Sequence, residues 1–439
     1  MIPVTPRLDS CTREQLLDSF GNSWQQETIL WQSVKDRDTF YLSPDPLRNR
    51  LVFYLGHSAV FYINKLFSVG LLDRRINDYY EQLFEIGVDP ETPEELNLAV
   101  GKIDFPDVEK VWQYREEAET VITDLIKNSD ITLPITPDSP WWAFLMGIEH
   151  SLIHFETSSM LLRQLPPNKL QRPSQWQYGK SRGTPSNNKM LEVAGGKVTI
   201  GKPIASNSYG WDSDYGKLEV EVQPFIASQY LITNQEYLQF VEAGGYGNPQ
   251  YWNDTAWQWL QQHQVKHPKF WQIEGDSYKY RTVFELMELP LDFPVEVNHY
   301  EAMAYCRWLG KGTRLLTEAE WNLALAQDQE QSNYHSYNLN LRYGSPTPVG
   351  SVDNSDNPYG FQDLRGNVWQ WLCDRFLPLP SFQSHYLYED YSEPFFDNRH
   401  FLLKGGSWAS MGAYASPYCR NWFRPYFYQH AGFRIARDC

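Results

Sequence analysis

The stretch GIEHSLIHFE, residues 147–156, carries two histidines four positions apart within an apolar segment. The flanking residues 141–146 and 160–162 are apolar at helical spacing, and Ser139 with Pro140 supplies a helix start signal. On a helix, residues i and i+4 share one face with Cβ atoms about 6 Å apart, so His150 and His154 can reach one metal ion. The same spacing also fits two hydrogen-bonded core residues. A metal site would need a third ligand from another segment.

A second apolar helix is predicted over residues 46–70, and His57 lies inside it. Polar His57, Asn64 and Lys65 interrupt the segment, which is barely long enough to cross about 30 Å of hydrocarbon, so a buried bundle helix is favoured over a membrane span. A lone buried histidine is usually a core residue. Here a two-histidine face already exists nearby in the same predicted bundle, and bundle cores build metal sites from facing helices.

Composition excludes several classes of protein. The 439 residues carry a formal charge of −16 without a large Lys/Arg cluster, so nucleic acid is not an expected partner. The amino terminus lacks the charged and apolar regions of a secretory signal. Five scattered cysteines without CxxC spacing fit a reducing cytosol and no disulfide framework. We therefore expect a cytoplasmic protein that binds no membrane.

The chain contains two regions that differ in their predicted secondary structure. Helical patterns cover most of residues 1–164 and predict a bundle of four to five helices, over residues 8–35, 46–70, 76–98, 106–128 and a last helix that ends near 164. Residues 165–188 are rich in proline, glycine and serine, and we interpret them as a linker. Short alternating strands and long aromatic loops then predict a separate domain over residues 189–439.

Several blocks in the second region resemble the formylglycine-generating-enzyme/sulfatase-modifying family, whose fold is related to C-type lectins. In order they are TNQEY (233–237), PVEVN (294–298), AMAYCRWL (302–309), TRLLTEAEW (313–321), NPYGFQDLRGNVWQW (357–371), KGGSW (404–408) and GFR (432–434). The first region resembles DinB-like metal-binding bundles. The resemblance implies an α+β protein, with a helical bundle followed by this second domain.

The combination of bundle and second domain resembles the thiohistidine sulfoxide synthases of the ergothioneine and ovothiol types. The resemblance implies that His57, His150 and His154 bind Fe(II), and that O2 is a co-substrate. The reaction would join cysteine sulfur to the imidazole ring of an amino acid and leave a sulfoxide. Residues 147–166 are most similar to the ovothiol type, which favours histidine as acceptor. Ovothiol-type enzymes usually continue into a methyltransferase domain, whereas this sequence stops at Cys439, which favours Nα-trimethylhistidine (hercynine). We therefore expect hercynine as the acceptor, in ergothioneine biosynthesis, with histidine, in ovothiol biosynthesis, as the alternative.

The resemblance also implies roles for residues outside the bundle helices. Relatives that use γ-glutamylcysteine hold its extra carboxylate with arginines in a bundle loop, but residues 87–94 here are acidic, so free cysteine is the expected sulfur donor. The family places a tyrosine near the iron, and Tyr388 is the first choice, with Tyr391 and Tyr386 as alternatives. Its phenol would supply a proton that favours C–S coupling over sulfinic acid formation. Two further residues, Arg420 and Asn421, match an imidazole-substrate region, although fold-stabilising hydrogen bonds are an equal alternative.

Two other functional hypotheses remain open from the sequence. Imidazole ligands suit zinc as well as iron, so a zinc-dependent thiol transferase of the DinB type is the first. A non-catalytic lectin-like binding module is the second. A formylglycine-generating activity is disfavoured, because Cys419 and Cys439 do not form the cysteine pair on which that chemistry relies.

Overall fold

The computed structural model describes residues 5–85, 87, 90–101, 103–326, 336–352 and 357–439. Contacts divide the chain into two compact units. The bundle unit comprises Met1–Gln175 with two short segments from later in the chain, Asn207–Tyr209 and Val283–Glu285. The sheet unit comprises the remaining residues from Trp176 to Cys439. The division at residue 175 lies within the segment interpreted as a linker, whereas no pattern in the sequence indicated the two short segments.

The bundle unit is helical, as the sequence predicts. Its α-helices among the described residues are α1 (Arg13–Gln32), α2 (Leu51–Ser68), α3 (Asp78–Leu83), α4 (Pro93–Val100), α5 (Val108–Asn128) and α6 (Pro140–Arg163). The four long helices α1, α2, α5 and α6 pack against one another. Most of α2 is buried around its whole circumference, which explains its nearly continuous apolar sequence. None of the described helices is long and apolar enough to cross a membrane.

The single helix predicted over residues 76–98 is wrong, because the structure has two short helices there. The first ends at Leu83, and the second begins at Pro93 with Thr92 as its N-cap. Proline has no backbone N–H and restricts the residue before it, so Pro90 and Pro93 prevent one continuous helix. The acidic loop, residues 87–94, falls in this break, and its residues 88 and 89 lie outside the described residues.

A glycine permits the close approach of α6 to α2. Gly147 on α6 faces the ring of Tyr62 on α2, and a Cβ atom at position 147 would lie 2.2 Å from Tyr62 Cδ1. Tyr62 is fully buried, so its ring has little room to move. The contact lies one helical turn from His150 on α6 and therefore helps to fix the distance between the two histidine-bearing helices.

The sheet unit contains short strands and four described helices. The strands are β1 (Met190–Val193), β2 (Gly196–Ile200), β3 (Leu218–Val222), β4 (Phe225–Ser228), β5 (Trp271–Glu274), β6 (Ser277–Arg281), β7 (Leu286–Glu288), β8 (Arg314–Leu315), β9 (Trp369–Arg375), β10 (Phe401–Lys404), β11 (Asn421–Phe423), β12 (Ala431–Gly432) and β13 (Ile435–Asp438). The helices are α7 (Asn234–Glu242), α8 (Asp254–His263), α9 (His299–Leu309) and α10 (Glu318–Leu325). Two four-stranded sheets have the orders β1-β4-β13-β8 and β11-β10-β9-β12, beside the hairpin β2-β3 and the meander β5-β6-β7.

Several of the family-like sequence blocks form helix caps and core. Three capping boxes begin α7, α9 and α10, at Thr233, Asn298 and Thr317. Tryptophans of the blocks, at positions 321, 369, 371 and 408, are fully buried. The buried Arg434 donates to the carbonyl oxygens of Ser228 and Gln362, at 2.5 and 2.6 Å. These residues join distant segments, which explains why the blocks are spread over some 200 residues.

We predict that Gly147→Ala destabilises the protein by about 1–3 kcal/mol, because the added methyl group collides with the buried Tyr62 ring. Gly21→Ala is the matched control. It lies inside α1 with nothing within 4 Å of the position that the added methyl group would occupy, so the same change should stabilise by about 0.5–1 kcal/mol. Urea unfolding of both variants measures the difference. Equal shifts of the same sign would contradict the role of Gly147 in helix approach.

Candidate metal centre

Three histidines from two helices converge inside the bundle unit. His57 lies on α2, and His150 and His154 lie one turn apart on α6. Each offers one ring nitrogen, and these atoms lie within 4.8 Å of one another. The ring centroids are 4.4–5.0 Å apart. The structure thus brings together the three residues for which the sequence predicts a metal site. Within the described ranges, no other group of three His, Cys, Asp or Glu side chains meets the same distance criterion.

The ring of His57 is held by a backbone carbonyl. Its Nδ1 lies 2.5 Å from the carbonyl oxygen of Phe84. Because a carbonyl oxygen only accepts hydrogen bonds, Nδ1 carries the hydrogen and Nε2 keeps its lone pair. Gly56 makes room for this segment, since a Cβ atom there would lie 2.8 Å from the Phe84 ring. His57 therefore offers Nε2 as its ligand atom, in an orientation fixed from outside the cluster.

Aromatic rings cover two of the histidines. Phe61 stacks on His150 with centroids 3.6 Å apart and an interplanar angle of 5°. Phe53 stacks on His57 at 5.1 Å and 22°. His57 and His150 are only 5% and 2% exposed. These rings limit the movement of the imidazoles and keep water away from them.

Burial keeps the three imidazoles neutral. It lowers the pKa of His57 to about 4 and holds the pKa values of His150 and His154 well below the ordinary value, with mutual repulsion as a second cause. A neutral imidazole keeps a lone pair for a metal ion. The buried Nδ1 of His154 has no hydrogen-bond partner among the described residues. The cluster therefore fits a divalent ion such as Fe(II) or Zn(II), both of which accept imidazole ligands.

A buried carboxylate bonds to the residues that follow two of the histidines. Glu27 on α1 accepts a hydrogen bond from the hydroxyl of Ser58, the residue after His57. It also accepts from the hydroxyl of Ser151, the residue after His150, at 3.5 Å. Glu27 thereby ties α1 to both histidine-bearing helices.

The charge of Glu27 is balanced by a buried arginine on α5. Arg115 Nη2 lies 3.5 Å from Glu27 Oε2, and both side chains are about 1% exposed or less. Arg115 also donates to the carbonyl oxygen of Leu55 on α2, at 2.9 Å, and its guanidinium lies 4.6 Å from the Trp24 ring centroid. The pair connects all four long helices around the histidine cluster.

The tyrosines considered as proton donors lie in the sheet unit. Tyr388 is half-buried, with its ring 5.4 Å from Tyr391 and 6.4 Å from Trp211. Burial raises the pKa values of Tyr388 and Tyr391, so both phenols keep their protons at neutral pH. Tyr386 is 55% exposed and stacks on His385, as an ordinary loop residue does. The assignment of Tyr388 stays a prediction.

The two residues expected to contact substrate are buried and hydrogen-bonded within the sheet unit. Arg420 donates to both carboxylate oxygens of Glu318, at 2.8 and 3.0 Å. The side-chain oxygen of Asn421 accepts from the backbone N–H of Trp422 at 2.9 Å and from the hydroxyl of Tyr414 at 3.4 Å. These contacts support the fold-stabilising alternative for both residues, and their contact with substrate stays a prediction.

Comparison with known proteins places these observations in a family. The model of the sulfatase-modifying factor enzyme 1-like domain matches residues 177–439. The hercynine oxygenase of Mycolicibacterium smegmatis is 30% identical over 330 residues, which cover 70% of this chain and 74% of that protein. The chain belongs to the thiohistidine sulfoxide synthase family. The α+β class, with a helical region followed by this carboxyl-terminal domain, is thereby confirmed.

Other family members match over different shares of their length. The hercynine oxygenase of Mycobacterium tuberculosis is 34% identical over 254 residues, or 54% of this chain and 58% of that protein. Ergothioneine biosynthesis protein 1 of Neurospora crassa is 24% identical over 510 residues, or 96% of this chain and 57% of that protein. The chain therefore spans less than two thirds of the length of these two relatives.

The residues that support the histidines were not predicted from the sequence. Glu27 is in register with an apolar stripe formed by Phe20, Trp24 and Trp31, and a carboxylate on such a stripe indicates a buried polar contact. That signal could have identified Glu27. The sequence did not identify the carbonyl of Phe84 as the partner of His57. Every residue has a backbone carbonyl, so the residue type does not reveal which one a histidine contacts.

We predict that Glu27→Gln costs about 3–5 kcal/mol of stability, because it leaves the buried Arg115 charge without a counter-charge. The control is Glu109→Gln, which removes the same charge from the exposed Arg37–Glu109 pair and should cost less than about 1 kcal/mol. Urea unfolding at neutral pH measures both. Similar losses for the two variants would contradict a central role for the buried pair.

Proposed function

We propose that this protein is an Fe(II)- and O2-dependent sulfoxide synthase that joins the sulfur of L-cysteine to the imidazole ring of hercynine in ergothioneine biosynthesis. The observation that carries the proposal is the similarity to a protein named hercynine oxygenase over 70% of this chain. The balanced reaction takes a thiol, an imidazole C–H and O2 to a C–S bond, a sulfoxide oxygen and water. The four electrons that reduce O2 come from the thiol and the imidazole.

We propose that His57, His150 and His154 hold the iron. When bound, iron would supply the binding and activation of O2. Imidazole ligands alone do not distinguish iron from zinc, and the choice of iron rests on the oxygenases among the relatives. The chain contributes neutral donors, since burial keeps protons off the three rings. The Phe84 carbonyl orients His57 and increases the basicity of its Nε2.

We further propose that Tyr388 supplies a proton during the reaction, a role supported by the family resemblance and by a phenol that stays protonated at neutral pH. Cysteine is the proposed sulfur donor, because residues 87–94 contain no arginine or lysine to bind a second carboxylate. We also propose a cytoplasmic location, which fits five cysteines that form no disulfide among the described residues.

The test of the function is oxygen consumption by the purified protein with Fe(II), cysteine and either hercynine or histidine. We expect consumption with hercynine and a product whose mass equals the two substrates plus one oxygen atom minus two hydrogens. Preferred turnover of histidine would replace the proposed acceptor. Undiminished turnover under strict anaerobiosis with zinc would indicate a thiol transferase and overturn the proposal.

The metal assignment predicts that His57→Ala abolishes stoichiometric iron binding and lowers the rate at least about 100-fold, since loss of even an outer hydrogen bond to a ligand costs 10–100-fold. His263→Ala is the control, because this exposed histidine lies on α8 in the sheet unit. Iron per chain is measured by elemental analysis beside the rate. Retention of one iron by the His57 variant would contradict the assignment.

The tyrosine assignment predicts a change in product rather than in metal content. Tyr388→Phe should lower sulfoxide formation about 100-fold or more and divert cysteine to its sulfinic acid, because the proton donor is lost while iron stays bound. Tyr386→Phe alters an exposed phenol and should keep the product ratio. Diversion in Tyr391→Phe but not in Tyr388→Phe would transfer the role to Tyr391.

A further inference from the structure

A second candidate binding site lies within the sheet unit. A cavity of about 200 Å³ opens between the start of α8, one face of α9 and strands β9 and β10. Among the described residues, no aspartate or glutamate lines it. We call it the α8–α9 cavity, and the lining residues that matter here are Thr255, His299, Arg307, Cys373, Arg375 and Phe401.

His299 lines the cavity with a buried imidazole ring. The side chain is only 3% exposed, and its Nε2 lies 3.2 Å from the carbonyl oxygen of Leu372. The carbonyl can only accept, so Nε2 carries the hydrogen and Nδ1 keeps a lone pair. Nδ1 is buried and has no hydrogen-bond partner in the described part of the chain. A buried acceptor left unpaired is costly, so a ligand that donates a hydrogen bond would be favoured here.

Arg375 gives the cavity a preorganised cation. Its guanidinium carbon lies 3.7 Å from the centroid of the Phe401 ring, and the His299 ring stacks at the same distance. Two groups this close to one centroid must occupy opposite faces of the ring. Phe401 therefore holds both the cation and the acceptor in place. Arg375 forms no ion pair with a carboxylate among the described residues.

A second arginine and a helix start add positive potential. Arg307 follows His299 by two turns on α9, so both lie on the same face of this helix. No described carboxylate forms an ion pair with it. The first turn of α8 contributes Thr255, and its amino terminus favours anions, although Asp254 in the same turn offsets part of this potential. The residues that line the cavity thus include two cations and one neutral imidazole.

The thiol in the cavity does not point to metal or covalent chemistry. Burial raises the pKa of Cys373 to about 12, so the thiol stays protonated at neutral pH. Two nearby arginines would also repel a metal cation. An anionic ligand bound without covalent change is the chemistry that remains.

We propose that the α8–α9 cavity binds a small hydroxycarboxylate, with its carboxylate groups on Arg375 and Arg307 and its hydroxyl donating to Nδ1 of His299. The carboxylate uses charge-assisted hydrogen bonds from the guanidinium groups. The hydroxyl satisfies the buried acceptor and provides the selection against plain carboxylates. The site is independent of the proposed oxygenase activity and does not require iron.

L-Malate and succinate test the proposal, because both are four-carbon dicarboxylates and only malate has a hydroxyl. We expect calorimetric titration of the full chain to show one malate site and binding of succinate about tenfold weaker, since succinate leaves the histidine acceptor unpaired. Arg375→Met and Arg307→Met should each weaken malate about tenfold or more. Lys197→Met is the matched control, because it removes one exposed positive charge from β2 outside the cavity and should leave binding unchanged.

The variant His299→Phe tests the selection of malate over succinate without changing the charge of the two arginines. It keeps a planar ring on Phe401 and removes the acceptor, so malate and succinate should bind equally to this variant. Should it fail to fold, the two arginine variants still test the site, because both side chains are exposed. Equal binding of the two ligands to the unaltered protein, full malate binding by Arg375→Met, or tighter binding of inorganic phosphate than of malate would each overturn the proposal.

Discussion

The close approach of α2 and α6 is the constraint on which the candidate metal centre depends. Two imidazoles on one helix face cannot complete a site, and the third comes from α2. The backbones approach because Gly147 has no side chain where Tyr62 packs. A side chain at that point would force the Tyr62 ring or the helix backbones to shift, next to the helical turn that carries His150. The absence of a side chain at position 147 thus permits the close packing of the two helices that carry the three histidines.

The three-histidine cluster lowers the stability of the folded protein. Two buried imidazoles and a third that is partly buried lose much of their hydration, and desolvation holds their pKa values below the ordinary value. The surrounding helices compensate with contacts that act from outside the cluster. The Phe84 carbonyl fixes one ring, and Glu27 with Arg115 ties the backbone segments beside two of the three histidines. Polar residues retained at such cost are typical of functional sites rather than of ordinary cores.

The sequence was informative where short-range rules apply, and long-range partners could not be predicted. Helical periodicity placed His150 and His154 on one face, and the apolar run around His57 predicted a buried helix. The predicted helix over residues 76–98 was wrong because Pro90 and Pro93 interrupt it. The carbonyl that orients His57 comes 27 residues later, from just beyond the end of α3, within that same wrongly predicted segment. Arg420 and Glu318 are 102 positions apart, and such buried pairs follow from tertiary packing, which a pattern of spacing does not contain.

His57 and His299 are oriented in the same way, but their surroundings favour different ligands. In each, one ring nitrogen donates to a backbone carbonyl, from Phe84 or from Leu372, and the other nitrogen keeps a lone pair. Around His57 the neighbours are two further neutral imidazoles. Together the three rings offer nitrogen lone pairs that can bind a metal cation. Around His299 the neighbours are guanidinium groups, which repel a cation and attract an anion with a hydrogen to donate. The charge of the surrounding side chains, rather than the histidine itself, therefore determines which ligand each site can accept.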